Sequence, residues 1–391
     1  MSHWPDTTVR INRRAQARLE AGHPWVFASD VVDRGGAEPG EAVSVIGADG
    51  RVLGTAHFSS SSQITLRMLS SRQEAIGRSF LRRRLEAAIE HRRRVVEDSN
   101  AFRLVFGEGD FLPGLVVDRY GDYLVVQALS QGMDRLLGEV VSCLREMTEP
   151  AGILARNDAA VRAKEGLPLE VKVLYGEIPE RVEVRMHGLA FFADLLHGQK
   201  TGMFLDQREN YLAAARWARG RALDCFTSGG GFALHMAARC ESVETADSST
   251  AALQLARANR DANGITNVEF IQADVFELLS GYVAAGRRFS TIVLDPPAFA
   301  KSRTALEGAA RGYKEINLRA LKLLEPGGVL ITCSCSQHMS EADFLRILAE
   351  AALDAGRTLR VLERRTQAAD HPILLTVPET HYLKCLILEA I

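Results

Sequence analysis

The chain has 391 residues, of which 47% are hydrophobic and 25% charged, with a formal net charge of −2. That size and balance suit a globular protein of two or three domains at roughly 150 residues each, and no run approaches the roughly 18 apolar residues of a membrane span. Met1 to Arg10 lack the apolar stretch of a signal peptide, so a cytoplasmic location is expected. Six cysteines without a Cys-x-x-Cys pair exclude a disulfide or zinc framework, and no metal is expected.

Residues 1–72 alternate short apolar segments with turns: Trp25-Val26-Phe27, Glu41 to Ile46, Val52 to Phe58 and Ile64 to Leu69, separated by Asp33 to Gly40 and Gly47 to Gly50. This pattern predicts a small β-barrel. Helical spacing follows over 73–98, with Phe80, Leu81, Leu85, Ala88 and Ile89 on one side. The first hundred residues hold 15 Arg, no Lys and 12 Asp or Glu. The arginines cluster at Arg10 to Arg18, Arg82 to Arg84 and Arg92 to Arg94. An RNA-facing patch that pairs with phosphate is one reading of these clusters. A solvated helix face, with Glu86 and Glu90 as i,i+4 partners, is the other.

Strands are predicted next at Arg103 to Phe106, Leu115 to Asp118 and Tyr123 to Ala128, then a helix from Met133 to Arg145. Further strands near Gly152 to Arg156 and Val182 to Met186 complete a strand-strand-helix-strand-strand middle domain, 73–187, with Pro168 and Pro179 marking a loop-rich exit.

Residues 188–391 alternate strand and helix. Strands are expected at Ala222 to Cys225, Val243 to Ala246, Val268 to Gln272, Ser290 to Leu294 and Gly328 to Thr332. Helices are expected at Gly231 to Arg239, Ser249 to Asn263, Ile316 to Leu324 and Glu341 to Ala355. Closing strands at Leu359 to Glu363 and Tyr382 to Leu388 form an antiparallel edge. The fold class is therefore multidomain α/β: a Rossmann-like, doubly wound C-terminal domain preceded by a β-barrel and an α+β domain. In such sheets ligands sit at the carboxyl ends of the strands.

At the first of those ends, Asp224-Cys225-Phe226 runs into Thr227-Ser228-Gly229-Gly230-Gly231, and a helix begins. Glycines there let a ligand approach the backbone. Asp247, 18 residues beyond Gly229, ends the next strand, where an acid accepts hydrogen bonds from ribose hydroxyls. Asp274, after the third strand, is placed for an adenine amino group. The spacing Asp-x-x-x-x-Gly-Gly-Gly differs from the Gly-x-Gly-x-x-Gly of dinucleotide sites. An acid at the first strand end repels pyrophosphate and suits a sulfonium cofactor bearing an ammonium group. This favours S-adenosyl-L-methionine over a nicotinamide dinucleotide; helix capping is the bland account of Asp224 and Asp247.

Two further strand ends carry Asp295-Pro296-Pro297-Ala298-Phe299 and Thr332-Cys333-Ser334-Cys335-Ser336. The prolines stiffen the loop that presents Asp295, a pattern shared with amino-group methyltransferases. Cys335 discriminates between the chemistries. Carbon C5 of cytosine becomes nucleophilic only when a group adds at C6, which is work for a thiolate. Asp295 is placed to assist at N3. Cys143, Cys225, Cys240, Cys333 and Cys385 are expected to be structural thiols, with Cys333 sharing the strand face of Cys335.

These residues resemble the bacterial large-subunit ribosomal RNA methyltransferase I family, cytosine-C5 methyltransferases with a PUA-like RNA-binding barrel. The likeness begins at His23-Pro24-Trp25-Val26-Phe27 and continues through Gly107-Glu108-x-Asp110-x-Leu112-Pro113-Gly114 and Asp118-Arg119-Tyr120-Gly121. It includes His197-Gly198-Gln199-Lys200-Thr201-Gly202, Phe204-Leu205-Asp206-Gln207-Arg208 and Ala368-Ala369-Asp370-His371-Pro372. The resemblance implies that Cys335 is the nucleophile, with Asp295 its assistant. It implies a cofactor pocket of Phe204, Asp206, Gln207, Arg208, Asp224, Phe226, Gly229, Gly230, Gly231, Phe232, Asp247, Ser248, Asp274, Val275, Asp295 and Pro296. The implied partner is large-subunit (23S) ribosomal RNA, naked or in a partly assembled subunit, and a homodimer is kept open. Two departures stand out. The family's Tyr-Thr-Gly-Gly loop is Ser228-Gly229-Gly230-Gly231 here. Pro297 stands where many RNA cytosine-C5 enzymes carry a second cysteine, so the base for the C5 proton is unassigned. The competing readings are a guanine or amino-group RNA methyltransferase, in which Asn tends to replace Cys335, and a non-catalytic RNA-binding assembly factor.

Overall fold

The computed structural model describes residues 5–198, 200–299 and 306–391. Gln199, within one of the motifs quoted above, lies outside the described residues. The chain divides into two compact units: Met1–Arg185, Ala193–Met203 and Ala369–Thr380 form one, and Met186–Phe192, Phe204–Ala368 and His381–Ile391 the other. No helix among the described residues is long and apolar enough to cross a membrane.

The first unit opens with a six-stranded sheet of β1 (Thr8–Ile11), β2 (Trp25–Phe27), β3 (Val31–Asp33), β4 (Ala42–Ile46), β5 (Val52–Phe58) and β6 (Ile64–Ser70), in the order β2-β6-β5-β4-β1-β3. The order is open, so the barrel expected from the turns is a half-barrel with β2 and β3 at its edges. Its core joins Val9, Val26, Val43, Val45, Ala56, Phe58 and Leu66 from one face of the strands. Helix α1 (Arg13–Glu20) lies in the first basic cluster. It has little apolar periodicity to announce it, and the Asn12 side chain caps it by accepting from the Ala15 N–H.

Helix α2 (Arg78–Val95) buries Phe80, Leu81, Leu85 and Ala88, as its spacing predicts. Its arginines find partners in the fold. Arg82 pairs with Glu86, Arg83 with Glu74, and Arg93 and Arg94 with Glu90, while Arg84 donates to the Leu69 carbonyl. Arg92 is buried and donates to the Asp110 carboxylate and to the carbonyls of Arg103 and Asp370. Arg82, Arg83, Arg93 and Arg94 thus line an exposed, salt-bridged helix face, while Arg92 serves the interior.

Beneath α2 lies a second sheet: β7 (Ala101–Phe106), β8 (Leu115–Tyr120), β9 (Tyr123–Ala128), β10 (Gly152–Asn157) and β11 (Glu170–Gly176), ordered β11-β10-β9-β8-β7. Helices α3 (Gln131–Arg135), α4 (Leu137–Thr148) and α5 (Val161–Lys164) complete the region. Phe80, Leu81 and Leu85 of α2 share a core with Leu104, Val117, Val126, Val140 and Leu144. The fifth strand is β11, and the segment Val182–Met186 is not part of this sheet. An edge strand with no buried residue, following Pro168, carries no burial alternation and reads as a loop. The strands β12 (Val182–Met186) and β13 (Leu189–Ala193) fall where the chain passes between units.

The second unit is built on seven strands: β14 (Arg221–Cys225), β15 (Ser242–Asp247), β16 (Val268–Gln272), β17 (Phe289–Leu294), β18 (Leu324–Ser334), β19 (Leu359–Arg365) and β20 (Lys384–Ala390). Their order is β16-β15-β14-β17-β18-β20-β19, with β14 to β18 parallel and β20 antiparallel to both neighbours. The accompanying helices are α6 (Arg208–Trp217), α7 (Gly231–Ala237), α8 (Thr250–Ala262), α9 (Val275–Ala284), α10 (Leu306–Leu323) and α11 (Glu341–Asp354). Leu223, Ile292, Leu294, Tyr313, Ile316, Leu330, Phe344 and Leu386 are among its fully buried core residues. Each such Leu or Ile contributes about 1.5–3 kcal/mol by burial. The chain winds one way from β14 and the other way from β17, so the topological switch point lies between those two strands.

Candidate active site

Three side chains of interest come from strand ends around that switch point. β14 ends beside Asp224, β17 immediately before Asp295, and β18 immediately before Cys335. Leu294 lies opposite Thr332, so Asp295 and Cys335 follow neighbouring parallel strands at the same end of the sheet.

The Asp295 N–H donates to the Cys225 carbonyl at 3.4 Å, tying the proline loop to β14. Pro296 is buried and Pro297 exposed, which leaves the half-buried Asp295 at the rim. Its Oδ1 accepts from Gln207 Nε2 at 3.0 Å. Gln207 is itself held, because its Oε1 accepts from Asn210 Nδ2 at 2.7 Å, and Asn210 Oδ1 accepts from Arg365 Nε at 2.9 Å. A carboxyl group supported this way is held in one orientation by its neighbours.

Cys335 is half-buried, with Sγ 4.0 Å from the Pro296 carbonyl. Its neighbours anchor it. Ser334 Oγ donates to the Tyr313 hydroxyl at 2.9 Å, and that hydroxyl lies 3.0 Å from Ser336 Oγ. Both serines and Tyr313 are fully buried. Cys333 has no exposure; it faces Cys385 across the β18–β20 ladder, and burial pushes its thiol well above the ordinary range. Cys335 lies one residue past the end of β18, outside the ladder that covers Cys333, and of these two thiols it is the accessible one.

On the other side of the switch point the chain turns through three left-handed residues, Phe226 (φ 65°), Ser228 (φ 49°) and Gly230 (φ 85°), before α7 begins. At Gly231 a Cβ would fall 2.3 Å from Tyr211 Cζ, so only glycine fits there. Asp224 is fully buried. Its Oδ2 accepts from Thr227 Oγ1 at 2.6 Å, the Ala233 N–H at 3.2 Å and Thr245 Oγ1 at 3.4 Å. Its Oδ1 is buried without a partner, and burial pushes the carboxyl up to about 7. An orphaned carboxylate oxygen at the first strand end fits the cationic end of S-adenosylmethionine and opposes a pyrophosphate.

A pH signature follows from that shift. Because the folded pKa lies above the unfolded value, the protonated form folds more favourably. The carboxyl therefore costs nothing below its ordinary 3.8, an increasing penalty from there to about 7, and a constant penalty above. In the absence of cofactor, Asp224→Asn is expected to melt above wild type at pH values over about 7, with the difference closing towards 3.8. A pH series of melting curves checks this, and a difference independent of pH refutes it.

Asp247 is the loop's clasp. Its Oδ2 accepts from the Ser228 N–H at 3.0 Å and its Oδ1 from the Ser249 N–H at 2.9 Å, with lone pairs left for hydroxyl donors. Asp274 caps α9, accepting from the N–H groups of Phe276 and Glu277, and is exposed. The capping account of these acids is therefore real, and it coexists with their place along one crevice. Phe226, Gly229 and Ser248 border the same loops. Phe232 is buried edge-on against Tyr211, with ring centroids 4.8 Å apart, and Val275 is 3% exposed; the structure gives both a packing role.

The Phe204 to Arg208 segment divides by direction. Gln207 meets Asp295, whereas Asp206 Oδ2 accepts from the Tyr382 hydroxyl at 2.8 Å and Arg208 is 1% exposed. The Phe204 carbonyl accepts from the Tyr211 hydroxyl at 3.3 Å. Asn210, Tyr211, Tyr313, Tyr382 and Lys384 were not anticipated. Only Lys384 leaves a trace in the sequence, as the one charge within Leu383 to Leu388.

Comparison with known proteins bears on this geometry. The description of PUA-like domains matches residues 9–71, and that of S-adenosylmethionine-dependent methyltransferases matches residues 148–388. The chain is 42% identical to the ribosomal RNA large subunit methyltransferase I of Tolumonas auensis, over 98% of this chain and 100% of that protein. It is also 42% identical to the protein of the same name from Shewanella amazonensis, over 97% of this chain and 98% of that one. Among solved structures, a methyltransferase complexed with SAH has the same fold, with a TM-score of 0.85 at 19% identity, covering 98% of this chain and 100% of that chain.

Proposed function

Because the chain belongs to the ribosomal RNA large subunit methyltransferase I family, whose catalytic domain is S-adenosylmethionine-dependent, we propose that it methylates C5 of a cytosine in large-subunit (23S) ribosomal RNA. The observation that carries this reading is the accessible Cys335 thiol beside Asp295 on neighbouring strand ends.

S-Adenosylmethionine, when bound, supplies an electrophilic methyl group on its sulfonium sulfur. In this reading Asp224 and the turn from Phe226 through Gly231 hold its cationic end, Asp247 accepts from its ribose hydroxyls, and Asp274 accepts from its adenine amino group. Phe204, Gln207, Ser248 and Pro296 border it, while Asp206, Arg208, Phe232 and Val275 support the pocket from behind. Cys335, as thiolate, adds to C6 of the cytosine: the C6–S bond forms and the C5–C6 π electrons become available at C5. Asp295, in its protonated form and oriented by Gln207, donates a hydrogen bond to N3 and offsets the negative charge that develops there. Once C5 carries the methyl group, a general base (water or a side chain) takes the C5 proton. The C6–S bond then breaks, returning its electron pair to Cys335.

A base stacked in a helix is out of reach of any thiol, so the target nucleotide is flipped out of its stack. The PUA-like region, within 1–72, holds the surrounding RNA by shape and phosphate contacts, with 73–187 as the middle domain and 188–391 as the catalytic one. The site of action is the cytoplasm, where the ribosomal subunit is built.

The test is incubation with labelled S-adenosylmethionine and unmodified large-subunit rRNA, followed by nucleoside mass spectrometry. The expected product is 5-methylcytidine. A methylated guanosine or adenosine would replace this proposal with an amino-group or guanine methyltransferase.

A further inference from the structure

We propose that Lys384 is a positioning residue for Cys335, whose buried ammonium clamps the turn carrying the thiol and favours its thiolate form. This rests on the reading of Cys335 as the nucleophile.

Lys384 opens β20 directly opposite Ser334, the last residue of β18. Its side chain is 4% exposed, and Nζ donates to the Ser336 carbonyl at 2.7 Å and to the Tyr382 carbonyl at 2.8 Å. Both acceptors are neutral, and among the described residues no carboxylate forms an ion pair with this ammonium. Burying an ammonium among neutral groups costs several kcal/mol, and an apolar chain of similar length fills the space without that cost. The charge is therefore unexplained by packing. One of its acceptors is the carbonyl immediately after Cys335.

The surrounding groups define the balance. Glu341, opening α11, is the carboxylate whose charge reaches the ammonium, while burial pushes the Tyr313 hydroxyl and the Cys333 thiol up, away from their charged forms. Burial pulls Lys384 down to about 8, and Cys335, ahead of Glu341, opposes that pull. The coupling is reciprocal, so whatever charge on sulfur stabilises the ammonium is itself stabilised by it. A thiolate is the form that attacks C6, and a neighbouring cation is a recognised way to supply it near neutral pH.

The test reads the thiol directly. The full-length protein is alkylated with iodoacetamide across a pH series, and modification of the Cys335 peptide is followed by mass spectrometry. In wild type the midpoint is expected below the free-cysteine value of about 8.5. A midpoint at or above it overturns the proposal without any variant. In Lys384→Met and Lys384→Gln the alkylation rate near neutral pH is expected to fall about tenfold, one pKa unit, with the midpoint moved upward. Lys384→Arg is expected to restore most of it. A folded Met or Gln variant with an unchanged midpoint would leave the lysine a purely structural role. Because the readout involves no methyl transfer, its failure is separable from failure to find 5-methylcytidine.

Discussion

Exchange of Cys335 for alanine is expected to lower methyl transfer by roughly 10⁴-fold or more, the scale on which loss of a covalent nucleophile is felt. Affinity for S-adenosylmethionine is expected to stay within about twofold of wild type, because the residue follows β18 while the glycine turn follows β14. The protein should also fold normally. Cys335 is half-buried, and its backbone is held by Ser334 and Ser336 through Tyr313, neither of which depends on the thiol. A second readout identifies the covalent step itself. RNA containing 5-fluorocytidine at the target blocks loss of the C5 substituent, so wild type should accumulate a denaturation-resistant protein–RNA adduct. Cys335→Ala should form none, and Cys333, with no exposure, should not substitute for it. An adduct in the variant, or methyl transfer within tenfold of wild type, would remove Cys335 from the mechanism.

Asp295→Ala is expected to reduce kcat by about 10²–10³-fold, the usual size of losing one preorganised polar group at a developing charge. The Gln207 amide then loses its 3.0 Å acceptor, and part of the loss comes from that disordered support. Asp295→Asn keeps a group that hydrogen-bonds N3 but cannot act as an acid, so it is expected to fall between the two. The diagnostic is the split between parameters, measured in steady-state kinetics with RNA and cofactor varied separately. A fall in kcat with KM for S-adenosylmethionine changed only a few-fold places Asp295 at the base. A rise in that KM with kcat preserved places it in the cofactor pocket alone.

Lys384→Met should resemble a partial version of the cysteine variant, slow near neutral pH and recovering as pH rises, because thiolate can still be formed by solvent. Asp295→Ala should not recover that way. The two variants therefore separate activation of the nucleophile from stabilisation of the ring.

Much of this architecture is written in local pattern. The parallel strands are short and carry apolar residues at their buried positions, so β14 to β18 are recognisable from their own residues, and an acid or thiol just past such a run marks a strand end. The failures share a cause. Helix α6 follows a stretch whose partners are distant, and α9, apolar on most faces, has no clear periodicity between β16 and β17. Strand β11 lacks a buried face altogether. The arginine clusters were ambiguous because pairing with Glu74 or Asp110 depends on where the chain folds back.

The amino-acid sequence by itself determined the sheet and the chemistry offered at its edge: an acid at the end of β14, an acid and prolines after β17, a thiol after β18. Periodicity and turn residues act within one element, so they are legible there. Tertiary structure alone decided which of those groups meet and in what state. Gln207 reaches Asp295 across 88 positions, Tyr382 reaches Asp206 across 176, and Lys384 reaches the Ser336 carbonyl across 48. Burial set apart Cys333 from Cys335 and raised Asp224. Desolvation and hydrogen-bond partnership depend on everything packed around a group, and a window along the chain contains only a small part of that surrounding.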